Sequence, residues 1–99
     1  MVKHIIIWNF KEEYTPQQRA EFAQKIKSEL EALVGKVDGL TELKIITNPL
    51  GTSNGDVMLD STLTSIEALE GYQVHPDHVA AAAFVRSVMG NRKCMDFEI

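Results

Sequence analysis

An α+β fold, with one four-stranded antiparallel sheet covered by helices on one face, is predicted by the order of patterns along the chain. β-rich and amphipathic segments follow one another as strand, helix, strand, strand, helix pair and strand. One sheet with its helices gathered on one side is the natural solution for that order. The length of 99 residues is sufficient for one domain, residues 1–99, and too short for a second core.

The first strand and the first helix have the clearest patterns. Val2 to Phe10 is rich in β-branched and aromatic residues and is apolar on both faces, which is typical of a strand covered on both sides. Thr15 and Pro16 then supply an N-cap and a first-turn proline. Apolar residues recur after them at intervals of four, four and three, which predicts a long amphipathic helix: Phe22, Ile26, Leu30 and Leu33.

Two middle strands, a helix pair and a last strand complete the pattern. Leu40 to Asn48 and Val57 to Leu63 are predicted strands, joined by a run of turn-forming residues. Pro76 separates two helices, because proline is favoured in the first turn of a helix and disfavoured in its interior. Residues Lys93 to Ile99 alternate in polarity and predict the closing strand. One face of that strand carries Cys94, Asp96 and Glu98.

The composition excludes several classes of function. The formal net charge is −4 and the basic residues are scattered among acidic ones, so no nucleic-acid-binding surface is predicted. No segment has the length and apolar character of a signal peptide or membrane span, so we expect a cytoplasmic protein without a membrane partner. Cys94 is the only cysteine, and we expect a small buried apolar residue there rather than a nucleophile.

The predicted sheet has one face that the chain does not cover. Ile5 and Ile7 lie on the face of the first strand opposite to His4, Ile6 and Trp8. A chain this short buries a limited share of its surface, and 44% of its residues are hydrophobic. Two sheets packed face to face across a two-fold axis would cover the exposed face. The sequence therefore predicts a homodimer.

Acid–base side chains are densest between Tyr72 and His78. Tyr72, His75 and His78 follow at three-residue spacing, and Pro76 opens a helix whose first turn holds His78. The helix dipole lowers the pKa of an imidazole at that position. Asp96 would accept a hydrogen bond from Nδ1 of His78 and hold the ring as a base. The same residues would equally serve the fold, as a helix cap and a buried polar pair.

Several segments together resemble the stress-responsive A/B barrel domain family. The most specific is the Tyr-x-x-His-Pro-x-His pattern of residues 72–78, and the resemblance covers essentially the whole chain. It implies a ferredoxin-like fold that forms a dimeric α/β barrel. The other matching segments are His4, residues 60–63, residues 65–69, residues 84–85, Arg92 and residues 96–98.

The resemblance also implies a candidate site, through the plant polyketide cyclases of the family. In those enzymes the histidine matching His78 is the general base of an aldol closure, the aspartate matching Asp96 orients it, and the tyrosine matching Tyr72 binds substrate. The implied catalytic residues are therefore His78, Tyr72 and Asp96. The expected substrate-binding residues are His4, Ile6, Trp8 and His75. For His4, a hydrogen-bonded core histidine is the simpler interpretation.

Three functions stay open at this point. The first, which we favour, is a ligand-binding or stress-linked homodimer with a small apolar pocket. The second is a cofactor-free cyclase-like or lyase-like enzyme that uses His78 as a base on a small aromatic or polyketide-like molecule. The third is a dimeric-barrel monooxygenase. Trp8 and the run Ala80–Ala83 differ from the cyclases and predict a different cavity. We expect no cofactor and, since no histidine and carboxylate show ligand spacing, no metal.

Overall fold

The computed structural model of the protein describes residues 1–99, and it confirms the predicted order of elements. None of the helices has the length and apolar character that a membrane span requires. The elements are β1 (Val2–Phe10), α1 (Pro16–Glu31), β2 (Leu40–Ile46), β3 (Val57–Leu63), α2 (Ile66–Val74), α3 (Pro76–Val88) and β4 (Met89–Glu98).

The four strands form a single sheet in the order β2-β3-β1-β4, in which every neighbouring pair is antiparallel. This is the predicted ferredoxin-like arrangement, with the helices against one face. The register places His4 on β1 opposite Ser61 on β3 and opposite Asp96 on β4. Side chains at paired positions lie on the same face of a sheet. The three residues therefore share the face that the helices cover.

The last strand begins earlier than predicted, at Met89 instead of Lys93. Gly90 and Asn91, two residue types that favour turns, belong to the strand. Asn91 adopts a positive φ of 53°, and the pairing register of β1 with β4 shifts between Ile7 and Asn9. Such an irregularity lets a strand bend without ending its pairing, which explains why the prediction was wrong at this boundary.

The helix starts follow from local hydrogen bonds. Thr15 caps α1 as predicted, and it exchanges two hydrogen bonds with Gln18: the Thr15 Oγ1 accepts from the Gln18 amide at 3.2 Å, and the Gln18 Oε1 accepts from the Thr15 amide at 2.9 Å. Ser65 caps α2, where its Oγ accepts from the Ala68 amide at 3.0 Å.

The core lies between the helices and the covered face of the sheet. It consists of 19 buried apolar residues in one cluster, and β1 contributes alternate positions because side chains of a strand alternate between faces. Gly39 is required where the chain enters β2. Its φ is +82°, and a Cβ there would lie 2.5 Å from the Cβ of Ala68 on α2.

The opposite face of the sheet, here called the outer face, carries no helix. It presents the side chains of alternate residues on β1 and β4, including the apolar residues Ile5, Ile7, Met95 and Phe97. Ile7 is 38% exposed, Phe97 is 41% exposed and Met95 is 68% exposed. The expectation that the chain leaves an apolar sheet face uncovered is confirmed.

Candidate functional site

A cavity of about 320 Å³ lies between α3 and the covered face of the sheet. Its volume is at the lower end of the range for small-molecule pockets. Three of the residues predicted for the site, Ile6, Trp8 and His78, line it. The complete lining is Ile6, Trp8, Leu30, Leu59, His78, Ala82, Val85, Arg86 and Arg92.

His78 lies in the first turn of α3 and forms part of the cavity wall. Its Nδ1 is 3.2 Å from the backbone carbonyl oxygen of Gln73. Because a carbonyl only accepts, Nδ1 carries the hydrogen and Nε2 is the basic atom of the neutral ring. Burial lowers the pKa of His78; the charges of His4 and Arg86 lower it further, and the hydrogen bond to Gln73 partly opposes them. The pKa of His78 is lowered as predicted, and burial is the largest cause.

Tyr72 packs against both His4 and His78 and is fully buried. Its ring centroid is 4.2 Å from that of His78 and 6.0 Å from that of His4. The Tyr72 hydroxyl has no hydrogen-bond partner within the chain. An unpaired buried hydroxyl is unfavourable, so such groups are normally satisfied by water or by a ligand. Burial also raises the pKa of Tyr72, which keeps the hydroxyl protonated and able to donate.

The predicted hydrogen bond between His78 and Asp96 is wrong. Asp96 Oδ1 lies 2.5 Å from Nδ1 of His4, while His78 bonds to the Gln73 carbonyl. The cause is the strand register, which sets His4 and Asp96 directly opposite each other. Asp96 therefore positions His4, and His4 is a buried, hydrogen-bonded core residue that is 2% exposed.

His75 is placed outside the cavity, although it was expected to bind substrate. Its Nδ1 accepts a hydrogen bond from the Asp77 amide at 3.1 Å, so His75 is the N-cap of α3. Its side chain lines a separate surface depression near Gly39 and Gly71. The alternative role of His75, capping a helix, is the one that the structure shows.

Arg86 and Arg92 line the cavity, although neither was predicted as a site residue. The sequence contains a pattern that could have predicted each of them. His78, Ala82 and Arg86 are spaced at four residues, which places them on one face of α3. Arg92 has the same parity on β4 as Asp96, and the side chains of a strand share a face at every second residue.

Three metal-binding side chains come together on β1 and β4. The donor atoms of His4, Cys94 and Asp96 all lie within 4.8 Å of one another, and all three residue types are zinc ligands. Sequence spacing could not reveal this group, because His4 comes from the other end of the chain. Cys94 itself is exposed on the edge strand, so the expectation of a buried residue was wrong. Burial and the neighbouring Asp96 raise the pKa of the Cys94 thiol, which disfavours the thiolate.

The stability of the fold should fall on acidification through His78. Its folded-state pKa is lowered below 6.5, so the unfolded chain binds the proton more tightly. The neutral form of His78 therefore costs the fold nothing above about pH 6.5, the unfolded-state pKa. The free energy of unfolding falls as the pH drops from there through the lowered folded-state pKa. Denaturant unfolding at about pH 7.5 and about pH 5.5 gives the free energy of unfolding at each pH. Between these two pH values it should fall by less in His78→Gln than in the parent protein. Equal losses in both proteins would contradict this role of His78.

A four-stranded antiparallel sheet with helices on one face, and with a cavity beneath those helices, defines a ferredoxin-like α+β protein with an internal small-molecule-sized site. The family model of the Stress responsive A/B Barrel Domain matches residues 2–99. The chain belongs to that family.

Other proteins resemble this chain in sequence or in fold. Olivetolic acid cyclase from Cannabis sativa is 29% identical over 89 residues, which cover 87% of this chain and 84% of the cyclase. A dimeric protein of unknown function from Bacteroides fragilis has a TM-score of 0.92 at 23% identity, covering 99% of this chain and 95% of its own. Hydroxynitrile lyase from Passiflora edulis has a TM-score of 0.78 at 16% identity, and the match covers 99% of this chain and 92% of the lyase chain.

Proposed function

We propose that the protein is a homodimer that binds a small apolar or aromatic molecule in the cavity beside His78. The observation that carries this proposal is the cavity itself, in which six of the nine lining residues are hydrophobic. Apolar walls with a few polar groups are the usual composition of small-molecule sites. The Tyr72 ring contacts His78 but is not part of the lining, so an ordered water is the partner that we expect for its unpaired hydroxyl.

Trp8 allows a direct test of ligand binding. It is the only tryptophan in the chain, is 6% exposed and lines the cavity. An occupant of the cavity would change the environment of this one fluorophore. Titration with small aromatic and polyketide-like molecules should give a saturable change in tryptophan emission for at least one compound class. The absence of any saturable change across the set would contradict the proposal.

Dimerisation is supported by the outer face. Ile5, Ile7 and Phe97 form an apolar surface there, and isologous packing of two such faces would bury it. Similar folds from Bacteroides fragilis, Thermobifida fusca and Jannaschia are described as dimeric. The cavity lies on the other side of the sheet, so this packing leaves it accessible.

Light scattering should give twice the chain mass of 11.1 kDa. Phe97→Glu, which places a charge on the outer face, should shift the equilibrium towards the monomer because an unpaired buried charge is strongly unfavourable. Val34→Glu is a matched control, since Val34 is 40% exposed and Phe97 41% exposed, but Val34 follows α1 and lies outside the sheet. A concentration-independent monomer of the parent protein would exclude the dimer.

A second candidate function is proton transfer catalysed by His78. Its supporting observation is the tautomer, because the Gln73 carbonyl leaves Nε2 of a neutral imidazole as the base. Nε2 of His78 would remove a proton from a carbon beside a carbonyl group of a molecule bound in the cavity. Olivetolic acid cyclase, similar in sequence, and hydroxynitrile lyase, similar in fold, are enzymes by name.

His78→Gln separates the two candidates. Glutamine retains polarity but cannot act as a base near neutral pH, so the variant should fold and bind the ligand found with Trp8 while losing turnover. Retained turnover in His78→Gln would remove His78 as the catalytic base. If His78→Gln binds the ligand as the parent protein does, and the parent protein turns over none of the screened compounds, then only the binding function is supported.

A further inference from the structure

We infer that the cavity selects small amphipathic anions, such as medium-chain or aromatic carboxylates, with the anionic group held by Arg86 and Arg92. This inference rests on the proposed ligand-binding function and specifies the class of ligand. It comes from the charge of the cavity lining and from the position of that charge relative to the apolar walls.

The lining is locally cationic in a chain that is acidic as a whole. Its nine residues include Arg86 and Arg92 but no aspartate or glutamate, whereas the formal net charge of the chain is −4. His78 adds no negative charge. Two of the three arginines of the chain thus border one cavity of about 320 Å³.

Neither arginine has an acidic partner within the chain. The salt bridges of the protein involve Lys3, His4, Lys25, Lys27 and Lys44, but neither Arg86 nor Arg92. The third arginine has a structural contact of its own, since the guanidinium carbon of Arg19 lies 5.6 Å from the centre of the Phe10 ring. None of the three arginines has a carboxylate partner, and Arg86 and Arg92 are the two that line the cavity.

The two ends of the cavity differ in character. Leu30 and Leu59 on its inner wall are each 2% exposed, while Arg86 and Arg92 are exposed. The apolar body of a ligand would pack among the buried side chains, and an anionic group would remain at the arginine-lined side. Guanidinium groups bind carboxylates in a bidentate manner, and such charge-assisted hydrogen bonds are stronger than neutral ones.

Three probes of equal chain length and different charge test this inference: octanoate, 1-octanol and octylamine. Their affinities can be compared through Trp8 emission at low ionic strength. We expect octanoate to bind about tenfold more tightly than 1-octanol and octylamine to bind more weakly than either. Added salt should weaken octanoate binding and leave 1-octanol binding unchanged, because only the charged contact is screened.

The arginine variants locate the effect. Arg86→Gln and Arg92→Gln should each weaken octanoate binding several-fold, and the double variant should bind octanoate no more tightly than 1-octanol. Arg19→Gln, which removes an arginine outside the cavity, is the control and should retain the full preference. Thermal melting of each variant verifies that it is folded before its affinity is compared.

The outcomes distinguish this inference from the proposed function. Equal affinity for all three probes, or an octanoate preference that survives in the folded double variant, would overturn the selection of anions while leaving a ligand-binding cavity. If none of the probes and none of the screened aromatic molecules changes Trp8 emission, the proposed binding function fails and the inference fails with it.

Discussion

Replacing His4 with alanine is expected to lower the free energy of unfolding by about 3 kcal/mol, as for other large buried side chains truncated in a core. The His4 ring is 2% exposed, contacts the buried Tyr72 ring edge-on and fills space beneath α2. The substitution leaves a cavity and also removes the hydrogen bond to Asp96. Urea denaturation of both proteins at one pH measures the difference.

Asp96→Asn is the matched control for the hydrogen bond alone. Asparagine retains an acceptor for Nδ1 of His4, and the Asp96 side chain is 38% exposed, so solvent replaces part of what is lost. We expect a change of about 1 kcal/mol or less. If His4→Ala is no more destabilising than Asp96→Asn, then His4 is not the packed core residue that the structure describes.

Filling the cavity from α3 should abolish ligand binding without unfolding the protein. Ala82 lines the cavity and is only partly buried, so the larger side chain of Ala82→Leu extends into the space that a ligand would occupy. We expect a loss of affinity of more than about tenfold, which corresponds to about 1.4 kcal/mol of binding free energy. Titration monitored by Trp8 emission measures it.

Ala83→Leu provides the control on the same helix. Ala83 is exposed and does not line the cavity, so the same change of residue type at the next position should leave ligand affinity unchanged. Helix propensity differs little between the two variants, since both replace alanine with leucine. Equal losses of affinity in the two variants would show that the ligand does not bind where we place it.

Much of the fold could be predicted from periodicity and capping alone. Residues of β1 alternate between the two faces of the sheet, which correctly assigned Ile5 and Ile7 to the face opposite His4. Thr15 with Pro16 predicted the start of α1. The start of β4 could not be predicted in this way. Gly90 and Asn91 usually end an element, and only the shifted pairing with β1 shows how a strand contains them.

The candidate site was predicted less completely, because its contacts depend on tertiary packing. Residue spacing brought Tyr72 and His78 together, and the structure has their rings 4.2 Å apart. The partner of Asp96 depended on the strand register, which pairs it with His4 instead of His78. No periodicity within one segment could specify that pairing.

A crystal structure of the protein grown with octanoate tests the central claim most directly. We expect two copies packed through their outer faces, with elongated density in each cavity between Trp8 and His78 and with the carboxylate near Arg86 and Arg92. A cavity closed by collapsed side chains, or octanoate bound elsewhere while the cavity is empty, would contradict the proposed binding site. Outer faces that remain in solvent would contradict the proposed dimer.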